Sequence, residues 1–211
     1  MGLLKLLTTD PLTFALVAVP LLFSVIIHEV AHGWVAYRMG DLTAKWSGRL
    51  TLNPLSHLDP IGTLMLFLAG FGWARPVPVN FNNLTHKRKG LLFVSSAGVI
   101  ANILLAFFAL LLIRFFSASP SEIAVISIDK VCRYVAHINI TLAALNLIPI
   151  PPLDGSKILM AIIWKRTPYF LTRLEPYGFF IIIGLLYLGI LNPLIRVFGW
   201  AIVTLIRVLL P

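Results

Sequence analysis

Acidic residues are scarce in this chain and cysteine is nearly absent. Eight Asp and Glu stand against 17 Lys and Arg, and charged residues make up 12% of the 211 positions, against about 25% in ordinary soluble domains. So little charge cannot keep a soluble surface wet, and one soluble core cannot hide the 59% of residues that are hydrophobic. Cys132 is the sole cysteine, which excludes an intramolecular disulfide and leaves the redox compartment open. There is no repeat of fixed period and no low-complexity tract. The net charge of +9 is not a nucleic-acid footprint, because the basic residues sit singly or in short groups between apolar runs. The only block, Lys87-Arg88-Lys89, reads as a membrane-flanking loop.

What is present in quantity is long apolar sequence, with a mean hydropathy of +0.94. Several uncharged runs approach or exceed the roughly 18 residues of a spanning helix. The chain therefore reads as one membrane-embedded domain over residues 1–211: an all-α, multi-pass bundle of about four to six membrane helices. Lys5 is a thin positive region, and the run after it continues through Ile27 with no small-x-small exit, so a cleaved signal peptide is not expected.

Pro11 opens a helix expected to reach about Tyr37, with Gly40 as its stop and Pro20 as a possible bend. Trp46–Pro60 follows, and Arg49–Asn53 alternate polar and apolar, which predicts a short strand or re-entrant β-hairpin. Ile61–Pro76 is apolar for only about a dozen residues before Arg75, too short for a full span. Gly90–Ile113 predicts a spanning helix closed by Arg114. Ser117–Arg133 predicts a polar connection with weak strand character at Ile123–Ile128. Tyr134–Ile163 is apolar but interrupted by Asn146–Gly155, where Pro149, Pro151 and Pro152 forbid a continuous helix. Pro176–Leu191 and Pro193–Leu210 are two further apolar runs.

Basic residues set the orientation. With the amino terminus outside, Arg38, Lys45, Arg49, Arg75, Lys87, Arg88, Lys89, Lys157, Lys165, Arg166 and Arg173 fall in the cytoplasm. Lys5, Arg114, Lys130 and Arg133 fall outside. The excess favours this topology.

Within the first long run stands His28-Glu29-Val30-Ala31-His32. Residues at i and i+4 share one helix face with Cβ atoms about 5–6 Å apart, so two imidazoles can reach one Zn²⁺. Glu29 lies beside the pair, placed to touch a water on the metal. This is the His-Glu-x-x-His pattern of metal-dependent peptidases. Polar groups inside a span are costly and usually functional. The bland alternative is three residues facing a polar cavity or partner helix.

A catalytic zinc normally takes three protein ligands and keeps one open position. Asp10 and Asp129 belong near the opposite surface, Asp41 lies past the helix end, and His57 and Asp59 qualify only if the hairpin folds back. Asp154 is the strongest candidate. His28 precedes Arg38 by about ten residues and Asp154 precedes Lys165 by about eleven, so each sits about 15 Å from the same boundary. Its other reading is the N-cap of the helix that begins at Gly155, and the residues alone leave cap and ligand equally open.

The pairing of His28–His32 in one span with Asn146–Gly155 in a later one resembles the site-2 protease family of intramembrane zinc metalloproteases. Leu50–Leu64 and Ser95–Ala106 look like segments of its short bacterial and archaeal members. The resemblance covers about Leu12 to Met160. It implies one Zn²⁺ per chain held by His28, His32 and Asp154, with Glu29 as catalytic base. The family's Gly-Pro-x-x-Asn motif stands here as Gly98-Val99-Ile100-Ala101-Asn102, with Val99 in place of the proline. Asn146 matches the asparagine upstream of the family's aspartate, and Asn102 and Asn146 are the candidate oxyanion donors. Implied partners are the bilayer and transmembrane protein substrates, with oligomeric state open. The implied location is the prokaryotic cytoplasmic membrane, with the site nearer the cytoplasm. Neither the PDZ-like nor the paired regulatory domain of larger members is expected here, nor the extra span that some place before the zinc helix. The Arg49–Asn53 strand offers an edge for substrate pairing. A membrane metal transporter or sensor is the alternative function, and an inactive scaffold a third.

Overall fold

The computed structural model describes residues 3–69, 72–116, 122–164 and 173–210. Lys165 and Arg166, counted above among the cytoplasmic charges, lie outside them, as do Ser117–Ser121 at the start of the polar connection. Nine α-helices and no strand occur among the described residues. They are α1 (Leu3–Thr9), α2 (Pro11–Arg38), α3 (Thr43–Trp46), α4 (Pro60–Ala69), α5 (Lys87–Phe116), α6 (Glu122–Asn146), α7 (Asp154–Ile162), α8 (Gly178–Tyr187) and α9 (Asn192–Leu209).

Helix α2 begins as its sequence dictates: Asp10 accepts the Thr13 N–H at 3.0 Å and Pro11 occupies the first turn, where a missing N–H costs nothing. It runs through Pro20 to Arg38, and Gly40 follows with a φ of +104°, the left-handed conformation that glycine tolerates at a helix end. Helices α2, α5 and α9 are each long and apolar enough to cross a membrane. Helix α5 is the hub, packed against α2, α6 and α7. Small side chains let α5 and α6 approach closely, as is usual between membrane helices: Ala106 and Ala109 on one, Ala136, Ala143 and Ala144 on the other, all buried. Large apolar side chains such as Phe108, Phe115 and Trp200 point away from the protein, the arrangement lipid demands.

Two expectations are corrected. Arg49–Asn53 forms no strand, and no β-hairpin is present among the described residues. Asn53 turns its side chain onto the Leu55 N–H at 3.1 Å and starts a 3₁₀ turn over Pro54–Ser56. Local side-chain capping thus outcompetes the alternating pattern. The lone bridge in this region joins Leu58 and Ala74. Ile123–Ile128 belongs to α6, where β-branched residues are carried by a long helix packed on α5 rather than by a strand. Helix α4 spans 10 residues, about 15 Å, and does not cross a bilayer, as its length implied. The apolar chain between α6 and α7 breaks where its prolines stand, with the Pro151–Pro152 peptide cis.

Candidate metal centre

Helix periodicity brings His28 and His32 onto the same buried face of α2, with their rings edge to face at 4.7 Å. The broken chain after Asn146 then delivers Asp154, the first residue of α7, to the same point. Asp154 Oδ2 lies 3.2 Å from His28 Nε2 and 3.1 Å from His32 Nε2, and the two nitrogens are 3.0 Å apart. All three residues are buried. Among the described residues they are the one group of His, Cys, Asp or Glu able to hold a metal ion together.

The geometry discriminates between the two roles of Asp154. The N-cap position belongs to Leu153, and no side chain caps α7. The carboxylate turns away from its own helix and toward the imidazoles. Two donors held 2.0–2.1 Å from a tetrahedral Zn²⁺ are about 3.3 Å apart, close to the spacings seen. His32 Nδ1 donates to the Val94 carbonyl at 2.6 Å, which leaves Nε2 as the nitrogen with a free lone pair. Apart from its contacts with the two imidazoles, the buried Asp154 Oδ2 has no hydrogen-bond partner among the described residues, which suits a carboxylate oxygen that ligates a cation. The residues fit a zinc ion.

Helix α5 closes the site from the side. A Cβ at Gly98 would stand 2.5 Å from both Nε2 atoms, so only glycine lets α5 pass this close. The Gly98–Asn102 motif marked this residue without revealing its reason. Gly155 plays the matching part on α7, where an added Cβ would collide with the carbonyls of Leu147 and Ile148.

His28, Glu29, His32, Asp154 and Asn146 line one cavity of about 810 Å³. Glu29 Oε2 accepts the Val77 N–H at 2.9 Å, leaving its other oxygen uncommitted by any backbone donor. Asn146 lies on the cavity wall with its amide nitrogen donating back to the Leu142 carbonyl at 3.0 Å. Asn102 is fully buried on α5, off the cavity wall, and its side chain finds no partner among the described residues.

The other ligand candidates weighed in the sequence, Asp10, Asp41, Asp59, Asp129 and His57, are engaged elsewhere, while Glu175 lines the same cavity. Asp10 caps α2, Asp129 pairs with Arg133 at 2.6 Å, and Asp59 caps α4 through the Gly62 N–H at 2.7 Å. His57 Nε2 donates to the Thr51 carbonyl at 2.8 Å. Asp41, fully buried, collects Thr43, Asn80 and Asn83 just past the Arg38 end of α2. Nothing in the sequence distinguished Asp41 as a structural hub, because two of its partners, Asn80 and Asn83, lie about 40 residues downstream.

The family model for peptidase family M50 matches residues 112–188, the part of the chain that carries Asp154. YwhC of Bacillus subtilis (strain 168), named as a zinc metalloprotease, is 41% identical over 170 residues, covering 79% of this chain and 78% of that protein. Rip2 of Mycolicibacterium smegmatis, named likewise, is 32% identical over 185 residues, covering 85% of this chain and 69% of that protein. Rip2 of Mycobacterium tuberculosis (strain ATCC 25618 / H37Rv) is 34% identical over 158 residues, covering 70% of this chain and 59% of that protein. No solved structure matches the chain.

Proposed function

The chain belongs to peptidase family M50, the site-2 proteases, and from that membership we propose how its residues divide the work of an intramembrane zinc endopeptidase. It is a metalloprotease of the membrane that uses zinc. His28, His32 and Asp154 hold the ion, and the observation that carries this is their three donor atoms gathered at 3.0–3.2 Å from two distant helices. Bound there, zinc supplies a Lewis acid for the scissile carbonyl and a water acidic enough to attack near neutral pH.

Glu29 is the general base. One carboxylate oxygen is fixed by the Val77 N–H, and the other takes the proton from the attacking water and returns it to the leaving amine. Asn146 stands on the cavity wall and supports the developing oxyanion, for which its amide must swing from the Leu142 carbonyl. Asn102, off the wall, is the weaker candidate for that part. Water reaches the site through the non-helical chain between α6 and α7, since irregular backbone at membrane depth is tolerated where it lines a wet cavity.

The substrates are transmembrane proteins cut within or near their spans. The site lies nearer the cytoplasmic side of a prokaryotic cytoplasmic membrane, and residues 1–211 act as one domain. Arg88, at the start of α5, donates to the carbonyls of Ala161 and Ile162 that end α7, at 2.9 and 3.1 Å. Thr85 bonds Met39 at the end of α2. The Arg38 end of α2, the basic start of α5 and the C-terminal end of α7 thus share one level, which supports placing them together on the positive side. A metal transporter or sensor would leave Glu29 without a task.

Pure protein in detergent, incubated with a panel of single-span proteins with and without a zinc chelator and analysed by mass mapping, tests this reading. Asp154→Ala is expected to lower zinc content from about one per chain, as for a three-ligand site. Glu29→Gln is expected to keep the zinc and lose about 10²–10⁴-fold in turnover. Unchanged zinc in Asp154→Ala beside loss in His28→Ala would return Asp154 to a structural role.

A further inference from the structure

Arg49 is a buried cation to which the reaction gives no role. It is 8% exposed, lies between α3 and α4, and makes no ion pair among the described residues. Its Nη2 donates instead to two successive backbone carbonyls, Arg75 at 2.5 Å and Pro76 at 3.2 Å. A buried guanidinium whose hydrogen bonds go only to backbone carbonyls, with the Arg75 charge against it and the Glu29 charge near enough to be felt, is an expensive arrangement and asks for a reason.

The reason lies in what those carbonyls belong to. Residues 73–79 form an extended strap along the cavity that holds His28 and Glu29. Pro76 and Pro78 fix its φ angles and remove two N–H groups, so Arg75, Val77 and Val79 are the only donors between positions 75 and 79. Arg75 N–H is used by the His57 carbonyl at 2.8 Å, and Val77 N–H by Glu29 Oε2 at 2.9 Å. The Val77 side chain is seated too: its Cγ1 fills the place beside α2 where a Cβ on Gly33 would be, 2.7 Å away.

The Pro76 carbonyl and the Val77 N–H are the two ends of one planar peptide unit. The Pro76–Val77 bond is trans, so they point in opposite directions. A hydrogen bond that holds the carbonyl on one side therefore aims the N–H on the other. Arg49 grips the carbonyl and Glu29 receives the N–H.

We propose that Arg49 is a positioning residue for the general base: through the rigid Pro76–Val77 peptide it orients the Glu29 carboxylate beside the metal ligands. This rests on the reading of Glu29 as base. Arg49 touches neither metal ligand nor substrate. Its effect is expected on turnover, not on zinc or substrate affinity. Lysine in its place presents a rotatable, strongly hydrated ammonium instead of a rigid planar guanidinium, so it holds the peptide plane less firmly.

The test uses the full-length zinc-loaded chain and a single-span protein that it cleaves in the panel above, read alongside amide hydrogen exchange of the 75–79 segment. Arg49→Met is expected to lower kcat about 10–100-fold, the scale set by a misplaced catalytic group, with KM and zinc content within about twofold. The Val77 amide should exchange at least about tenfold faster, and Arg49→Lys should fall between the two on both readouts. In Val77→Pro, which deletes the N–H, adding Arg49→Met should change kcat little further. Unchanged Val77 exchange in Arg49→Met, or a full additional loss on the Val77→Pro background, overturns the relay. Should Arg49→Met not fold, Arg49→Lys on the Val77→Pro background decides by the same comparison. If Glu29→Gln keeps full turnover, the base assignment fails instead, and the exchange arm still decides whether Arg49 holds the strap.

Discussion

At the scale of the residue, the site depends on what is missing as much as on what is present. His28 and His32 are brought together by helix pitch alone, but their free nitrogens become available only because α5 carries no side chain at Gly98. A methyl there would sit 2.5 Å from both Nε2 atoms, inside the space that an ion and its water need. Gly98→Ala is therefore expected to abolish stoichiometric zinc and, because its Cβ overpacks the buried imidazoles, to cost about 1–3 kcal/mol of stability. Metal analysis by mass spectrometry with a circular dichroism melt checks this; retained zinc would show that α5 yields. The i, i+4 spacing and the flanking glutamate were legible from the sequence. The reason for Gly98 was not, because a glycine's steric use depends on which helix passes it.

At the scale of the element, the long helices follow their sequence, while the chain between them follows its side chains. Asn53, Asp59 and Asn80 each cap a turn or helix start, and that capping replaced the hairpin read from Arg49–Asn53. Asp41 ties the end of α2 to α3 and to residues 80–83. Burial pushes its carboxyl upward, but the Thr43 hydroxyl, the Asn80 and Thr43 N–H groups and the Asn83 amide outweigh burial and hold it below the ordinary carboxylate range. A carboxylate with a depressed folded value stabilises at pH above its unfolded value and loses that contribution as pH falls through the folded one. Thermal melts in detergent below about pH 4 should thus show a steeper acid loss for the native chain than for Asp41→Asn. Near neutral pH, Asp41→Ala should cost about 2–3 kcal/mol, the scale of a lost charged hydrogen-bond network. Equal acid slopes for Asp41→Asn and the native chain would remove Asp41 from the account.

At the scale of the whole molecule, the metal centre joins α2 to α7, and α5 buttresses both. An ion that binds only the folded chain stabilises it by mass action, about 4 kcal/mol at 1,000 times its dissociation constant. Chelation is expected to lower the melting temperature of the native chain and to leave His28→Ala unmoved; an equal shift in both would mean that the chelator acts elsewhere. By itself the sequence determined what is local: apolar runs of spanning length, the two imidazoles on one face with a glutamate beside them, and a helix that must break at Pro149–Pro152. These follow from backbone periodicity and proline chemistry, which act over a few residues. Only the tertiary structure decided that Asp154 faces the imidazoles rather than capping α7, that Arg49 meets the Pro76 carbonyl while the Val77 N–H meets Glu29, and that no hairpin forms among the described residues. Each of those depends on contacts between segments far apart in the chain, whose relative positions are set by packing around α5 and not by any residue's immediate neighbours.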